Sequence, residues 1–230
     1  MRTILLLCIL GVSGIGFASY SLADVSDPRP TKHSEHNVKS APQESNTAQD
    51  ATRTDSIRRY VVEIMQGWAP AKIEMAPLED VAESIAKAAV SDEPAWPDDK
   101  TGARSAVLLA SLAYFEGARF AKYVDDQTCN ERSFQQRNPL AHYGTCDHRL
   151  AFSLWQIHEI ELSNPHEVAS ASALKDRDFA AHIALRLARQ SLAATGTLRN
   201  YTGEWSGPCP KAEDRLSFAE KAFRAHPFQP

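Results

Sequence analysis

The sequence predicts a mostly α-helical protein, and three observations support this fold class. Apolar residues recur at helical spacing in several segments, whereas runs that alternate between apolar and polar residues, typical of strands, are absent. The pairs Asn-Gly and Asp-Gly, which favour tight hairpins, do not occur. The chain has 230 residues, of which 43% are hydrophobic, enough for one ordinary core but not for two large domains.

Net charge and motifs argue against several classes of function. Lys and Arg number 25 against 29 Asp and Glu, so the formal charge is −4 and no basic surface for nucleic acid is expected. The glycine patterns of nucleotide-binding loops are absent, and no serine lies in a recognisable nucleophile elbow. We therefore expect neither nucleic acid as a partner nor a nucleotide as a substrate.

The N-terminus has the pattern of a secretory signal peptide, predicted over residues 1–23. One cation, Arg2, precedes the apolar run Ile4–Leu10, and small residues at Ser21 and Ala23 suit cleavage after Ala23. Gly and Ser interrupt the apolar stretch too early for a permanent membrane span. We therefore expect an exported protein, periplasmic or secreted, with no membrane span after signal cleavage.

A disordered tether is predicted over residues 24–55, and a helical domain over residues 56–230. The tether contains no Leu, Ile, Met or aromatic residue and cannot bury a core. Helices are predicted from Ser56 onward, around Val81–Ala89, and over Thr101–Lys122, Asp147–Glu161, Asp176–Ala194 and Lys211–Phe223. The third is apolar almost all round, which predicts a central, buried helix.

Three cysteines remain after signal cleavage: Cys129, Cys146 and Cys209. In an oxidising compartment two of them can pair. We favour Cys129–Cys146, because this pair brackets a polar loop without helical periodicity, although spacing leaves the other two pairings open. His142 and His148, together with Cys129 and Cys146, offer a tetrahedral zinc site as an alternative. Exported cysteines more often oxidise than bind zinc, so we predict no metal and no organic cofactor.

The candidate catalytic residue is Glu116, which stands at the end of the apolar segment "SAVLLASLAYFE". Burial disfavours the charged form of a carboxyl group and so raises its pKa. A carboxylic acid that is neutral at the working pH can protonate a glycosidic oxygen. The alternative is a structural acid that pairs with Arg119 one turn further on.

Two later segments carry residue types common in sugar sites. The segment "SLWQI" places Ser153, Trp155 and Gln156 together, and an indole offers a flat apolar face for a sugar ring while an amide offers both donor and acceptor. The segment "LRNYTGEW" presents Tyr201 beside a glycine and ends in Trp205, a second candidate platform. We expect these side chains to line a cleft with the acid.

Taken in order, these segments resemble the lysozyme-like superfamily, in particular its soluble lytic transglycosylases, from about Ala106 to Phe223. The resemblance implies a lysozyme-like helical fold with Glu116 as catalytic acid. It also implies that Ser153–Ile157 is a glutamine motif and that Tyr201 closes the cleft. The family usually has Ser where this chain has Gly117, and Gly at the position of Ser153.

The resemblance implies cleavage of the glycosidic bond between N-acetylmuramic acid and N-acetylglucosamine in peptidoglycan strands. One carboxyl group suffices, because the 6-hydroxyl of the muramic acid attacks and leaves an anhydro product. A hydrolytic muramidase, the alternative, normally needs a second carboxylate about 5–9.5 Å away, for which Asp125, Asp126 and Asp147 are candidates. A further alternative is an inactive domain that binds glycan strands or an envelope protein.

Overall fold

The apolar helix at the middle of the chain forms the centre of the fold. We describe a computed structural model over residues 44–70, 74–130, 151–158, 162, 171–198, 201 and 210–230. Within these residues the helices are α1 (Glu44–Trp68), α2 (Leu78–Ser91), α3 (Ala103–Glu116), α4 (Lys122–Asp125), α5 (Arg177–Thr195) and α6 (Pro210–Ala225). The described part also has two short strands, β1 (Ala151–Phe152) and β2 (Ile157–His158), and two 3₁₀ helices, Thr128–Asn130 and Ala171–Lys175. The protein is therefore mostly helical, as predicted.

Helix α3 is surrounded by other helices because it is apolar on all sides. Ten of its 14 residues are buried, including the whole run from Ser105 to Ala113. Helices α1, α2, α5 and α6 all pack against it. Burial of apolar surface is favourable in proportion to its area, so a helix without a polar face is most stable when it is covered all round. The prediction of a central helix is confirmed, although its end at Lys122 is wrong because α3 stops at Glu116.

Helix α1 begins earlier than the apolar pattern indicates. It starts at Glu44, so residues 44–55, predicted to belong to the tether, are helical. Residues 48–52 of this helix are exposed, and the prediction relied on a buried face that begins at Ile57. Arg53 fixes this part of the helix by donating from Nε to the backbone oxygen of Thr101 at 2.9 Å. The predicted signal peptide and residues 24–43 lie outside the described residues.

The segment Ala151–His158 is a hairpin rather than the helix predicted over Asp147–Glu161. Strands β1 and β2 pair antiparallel, with Ala151 opposite His158 and Phe152 opposite Ile157. The turn between them has a left-handed residue at each end, with φ of 62° at Ser153 and 49° at Gln156. The sequence pattern gave no hint of this turn, because neither position is a glycine or an asparagine.

The remaining helix predictions agree with the structure to within a few residues. Helix α5 is capped by Asp176, whose side chain accepts a hydrogen bond from the backbone N–H of Phe179. In the described part of the chain, no helix is both long enough and apolar enough to span a membrane.

A buried carboxylate fixes the start of α3. Asp99 is 8% exposed, and its Oδ2 accepts hydrogen bonds from the backbone N–H and the hydroxyl of Ser105, both at 2.7 Å. The hydroxyl of Ser105 in turn accepts from the backbone N–H of Ala95 at 2.8 Å. Asp99 thereby provides an acceptor for a backbone N–H in the first turn of α3, which has no partner within the helix itself.

We expect Asp99→Ala to lower the free energy of unfolding by about 2 kcal/mol, because it leaves buried donors of Ser105 without an acceptor. Chemical denaturation measures this change. Asp98→Ala is the matched control, since the side chain of Asp98 is 80% exposed and its change should stay below about 0.5 kcal/mol. Equal effects of the two variants would contradict the assigned role of Asp99.

Candidate functional site

The carboxyl group of Glu116 lies at the C-terminal end of α3, between that helix and α6. Its side chain is 11% exposed, and its Oε1 lies 2.6 Å from Nε of Arg215, whose side chain is 12% exposed. The ionic partner is therefore a residue from the last helix and not Arg119, the partner considered from sequence. Arg119 is exposed and lies outside α3, because the helix ends before it.

Burial and the guanidinium act in opposite directions on the pKa of Glu116. Burial removes water from the carboxylate and raises the pKa above its ordinary value, and the charge and contact of Arg215 lower it. The net direction is upward, because the desolvation of the carboxylate outweighs the effect of the guanidinium. The group is thus more easily protonated than an exposed glutamate.

Arg215 makes two further contacts with α3, one through its backbone and one through its side chain. The hydroxyl of Ser111 donates to the backbone oxygen of Arg215 at 2.8 Å. The guanidinium carbon lies 5.9 Å from the ring centre of Phe115, which is 39% exposed. Although Nε of Arg215 is close to the carboxylate, its N–H is not aligned with a hydrogen-bond acceptor. The contact with Glu116 is therefore an ion pair of imperfect geometry.

A left-handed turn begins two residues after Glu116. Ala118, Arg119 and Phe120 have φ values of 50°, 64° and 61°, a conformation that costs roughly 1–2 kcal/mol per residue without glycine. Neighbouring contacts hold the turn in place: Phe120 is fully buried, and its backbone oxygen accepts from the N–H of Ala76 at 2.8 Å. The chain therefore does not continue as a helix beyond Gly117.

The hairpin turn packs directly on the residue after the acid. A Cβ atom placed on Gly117 would lie 2.9 Å from the backbone oxygen of Leu154 and 2.8 Å from its Cδ2. It would also lie 2.4 Å from the backbone oxygen of Ala113. Only a glycine allows the end of α3 and the turn Ser153–Gln156 to approach this closely. Two of the three segments predicted to form the site therefore meet beside Glu116.

Trp155 is a core residue, which corrects its assignment as a sugar platform. Its side chain is fully buried, and its indole N–H donates to the backbone oxygen of Leu109 in α3 at 3.0 Å. A platform needs an exposed ring face, which this indole does not have. Its role is to attach the hairpin turn to the central helix.

The other predicted binding residues also lie in or on this turn and are largely buried. Ser153 is 3% exposed, and its hydroxyl accepts from the N–H of Trp155 at 3.3 Å. Gln156 is 8% exposed, and its amide donates to the backbone oxygen of Ser153 at 2.9 Å. Tyr201 is 3% exposed, and its hydroxyl donates to the backbone oxygen of Trp155 at 3.4 Å. The predicted segments thus contact one another. The polar groups of Ser153, Gln156 and Tyr201 bond to the backbone of the turn, so these contacts stabilise the turn.

Two of the three carboxylates considered for a hydrolytic mechanism are engaged elsewhere. Asp125 accepts two hydrogen bonds from Arg177, at 3.0 and 2.7 Å. Asp126 accepts from Lys122 at 2.9 Å and from the backbone N–H of Thr128 at 3.0 Å. Burial by itself would raise the pKa of Asp126, but these hydrogen bonds outweigh burial and lower it. Both carboxyl groups therefore already have structural partners.

Several residues predicted to form a disulfide, a metal site or a sugar site lie outside the described residues. Cys129 is buried, but the other cysteines lie outside the described residues, so its pairing with Cys146 stays a prediction. His142, His148, Asp147 and Trp205 lie outside them as well. Across the described ranges, no group of three His, Cys, Asp or Glu side chains could hold a metal ion.

Glu116 does not line any of three cavities formed by described residues, which have volumes of about 650, 480 and 450 Å³. The cavity of about 650 Å³ lies between Glu93–Pro97 and the end of α5.

Arg215 is the residue that sequence reasoning missed. It lies 99 positions after Glu116 in a helix recognised only for its apolar residues, and no local spacing relates the two. The available signal was a basic residue that is one of four in α6. Such a signal is too common to identify a partner.

We expect Gly117→Ser to lower the free energy of unfolding by about 1–3 kcal/mol, because the new side chain collides with two backbone oxygens that cannot move independently. Thermal or chemical denaturation measures the change. Gly67→Ala is the matched control: a Cβ atom there meets nothing within 4 Å, and the helix should gain up to about 1 kcal/mol. A Gly117→Ser protein as stable as wild type would contradict the close packing.

No family model, no curated protein and no solved structure matches the chain.

Proposed function

We propose that the protein is a lytic transglycosylase of lysozyme-like fold that cleaves peptidoglycan strands with Glu116 as its single catalytic acid. The observation that carries the proposal is the carboxyl group of Glu116, nearly buried at the end of the central apolar helix with its pKa raised by burial. A general acid needs a pKa near the working pH, and burial is the usual way to raise that of a glutamate.

The surroundings of the acid support the proposal. The segments that resemble the family motifs contact one another: Leu154 lies close to Gly117, the residue after the acid, and Tyr201 donates to the backbone oxygen of Trp155. Ser153 stands where the family motif has glycine, and its φ of 62° lies in the region that glycine adopts without strain. The chain therefore keeps the backbone geometry that such a glycine would allow.

A single-acid reaction is favoured over hydrolysis with two carboxylates. Asp125 and Asp126 are both occupied by cationic partners and hydrogen bonds. Neither is available to activate a water molecule or to attack the sugar. The intramolecular reaction needs no second carboxylate, because the substrate supplies its own nucleophile.

The proposed reaction uses Glu116 twice. Its protonated carboxyl group gives the proton to the glycosidic oxygen as the bond from that oxygen to the anomeric carbon breaks. The resulting carboxylate then accepts the proton of the 6-hydroxyl of the muramic acid while that oxygen bonds to the anomeric carbon. The products are an anhydromuramic end and a free hydroxyl on the leaving sugar, and Glu116 regains its proton.

The alternative function is a domain that binds glycan strands or an envelope protein without cutting. The contact with Arg215 at 2.6 Å favours it, because a nearby guanidinium stabilises the ionised form of the carboxyl group, which cannot donate a proton. The two functions differ in whether the proton of Glu116 matters, and replacement of the carboxyl group by an amide distinguishes them.

We expect Glu116→Gln to lower the rate of peptidoglycan cleavage by about 100-fold or more, because the amide keeps the shape of the side chain but cannot donate the proton. Release of soluble fragments from purified peptidoglycan measures the rate. Glu79→Gln is the control, since the side chain of Glu79 is 74% exposed in the first turn of α2. Equal cleavage by wild type and Glu116→Gln would reject the enzymatic proposal.

We expect the products of wild-type cleavage to end in anhydromuramic acid, because the 6-hydroxyl and not water attacks the anomeric carbon. Mass spectrometry of fragments formed in ¹⁸O-labelled water distinguishes the reactions. An anhydro product carries no label, whereas a labelled reducing end would identify the protein as a hydrolytic muramidase.

A further inference from the structure

We propose that Arg215 is a positioning residue for Glu116: it holds the carboxylate as an ion pair in the substrate-free protein and separates from it when the acid acts. This inference rests on the proposed function, since it concerns how the same carboxyl group changes its protonation. It assigns a role to a residue of α6 that no sequence motif singled out.

The first support is the position of the pair. Glu116 and Arg215 are both nearly nine-tenths buried and lie on neighbouring helices, with 2.6 Å between Oε1 and Nε. A buried charge without a partner is strongly unfavourable, so the ionised form of Glu116 depends on this guanidinium. Arg215 is also positioned through its own backbone, which accepts the hydroxyl of Ser111. The guanidinium therefore cannot drift from the carboxylate without a rotation of its side chain.

The second support is the geometry of the contact, which differs from that of a structural ion pair in the same protein. Arg177 donates two aligned hydrogen bonds to Asp125, at 3.0 and 2.7 Å. The Nε–H of Arg215 is not aligned with its carboxylate, although the two atoms are close. A paired fork of two aligned bonds is stronger and more specific than a single contact. The Arg215 pair is thus the easier of the two to separate.

The third support is electrostatic: among the described residues, Arg215 is the charged group that acts on the pKa of Glu116. It is the source of both the charge effect and the side-chain contact that lower the pKa of the carboxyl group. The hairpin turn contributes neutral residues, Ser153 to Gln156, on its side of the α3 terminus, and Arg119 is exposed. Aromatic rings cover the neighbouring surface of α3 and α6: Trp68, Tyr114, Phe115 and Phe218.

The sign of the expected effect follows from these opposing contributions. A general acid works in its protonated form, so activity is lost as the pH rises through the pKa of Glu116. Removal of the guanidinium leaves burial unopposed and raises that pKa. The alkaline limb of the pH profile therefore moves to higher pH in a variant that lacks the charge, and a merely structural role of Arg215 would not move it.

The test is a titration of Glu116 by NMR in the full-length protein, with the carboxyl carbons of glutamate labelled with ¹³C. The signal of Glu116 is identified by its loss in Glu116→Gln. We expect Arg215→Met to lower the acid dissociation constant of Glu116 by about tenfold or more, and Arg215→Lys to lower it less, because the lysine keeps the charge. The alkaline limb of the pH profile of the cleavage rate moves to higher pH by the corresponding amount, one pH unit for each tenfold change in the dissociation constant.

Arg104→Met is the matched control. Arg104 also joins α3 to α6, through Glu220, but lies twelve residues from Glu116, about 18 Å along the helix. It should weaken the contact of the two helices without changing the titration of Glu116. Arg215→Gln is the second variant if Arg215→Met does not fold, because the amide removes the charge and keeps a polar group.

The outcomes separate the two proposals. An unchanged titration of Glu116 in folded Arg215→Met or Arg215→Gln, or an equal shift in Arg104→Met, overturns the role of Arg215. If wild type cleaves peptidoglycan but the pH limb stays in place, the role fails and the proposed function stands. If wild type does not cleave but the titration shifts, the proposed function fails and the electrostatic effect of Arg215 stands without a catalytic meaning.

Discussion

The complete burial of α3 is the constraint on which the rest of the structure depends. A helix that presents apolar side chains in every direction is unstable in water unless other elements cover it, and here four helices do so. The same requirement accounts for the hairpin. Trp155 of the hairpin turn can be buried against α3 because the backbone oxygen of Leu109 accepts a hydrogen bond from its indole N–H within the core.

A carboxyl group at the end of such a helix is subject to two competing effects. Water is largely excluded from Glu116, which favours the neutral acid, while Arg215 from α6 favours the anion. An exposed ion pair would contribute little to stability, but removing one partner of a buried pair is costly. The balance of the two effects makes the protonation of Glu116 sensitive to the position of one guanidinium.

The backbone around Glu116 is strained and closely packed. Three consecutive residues in the left-handed region follow Glu116, and Gly117 lets the hairpin turn approach α3 more closely than any larger residue would. Strain of this kind persists only where surrounding contacts determine the conformation, and it is common at functional sites. The burial of Phe120 and the backbone bond from Ala76 supply those contacts.

The sequence by itself determined the helical class, the central position of α3 and the placement of Glu116 at the end of its apolar segment, because apolar periodicity directly reports which faces are buried. It missed the early start of α1, where residues 48–52 are exposed, and it predicted a helix in place of the hairpin, because Ser153 and Gln156 adopt left-handed angles that their residue types rarely show. Only the tertiary structure decided that Trp155 belongs to the core and that Glu116 faces Arg215. Both depend on contacts between residues distant in the chain, and local patterns carry no information about such contacts.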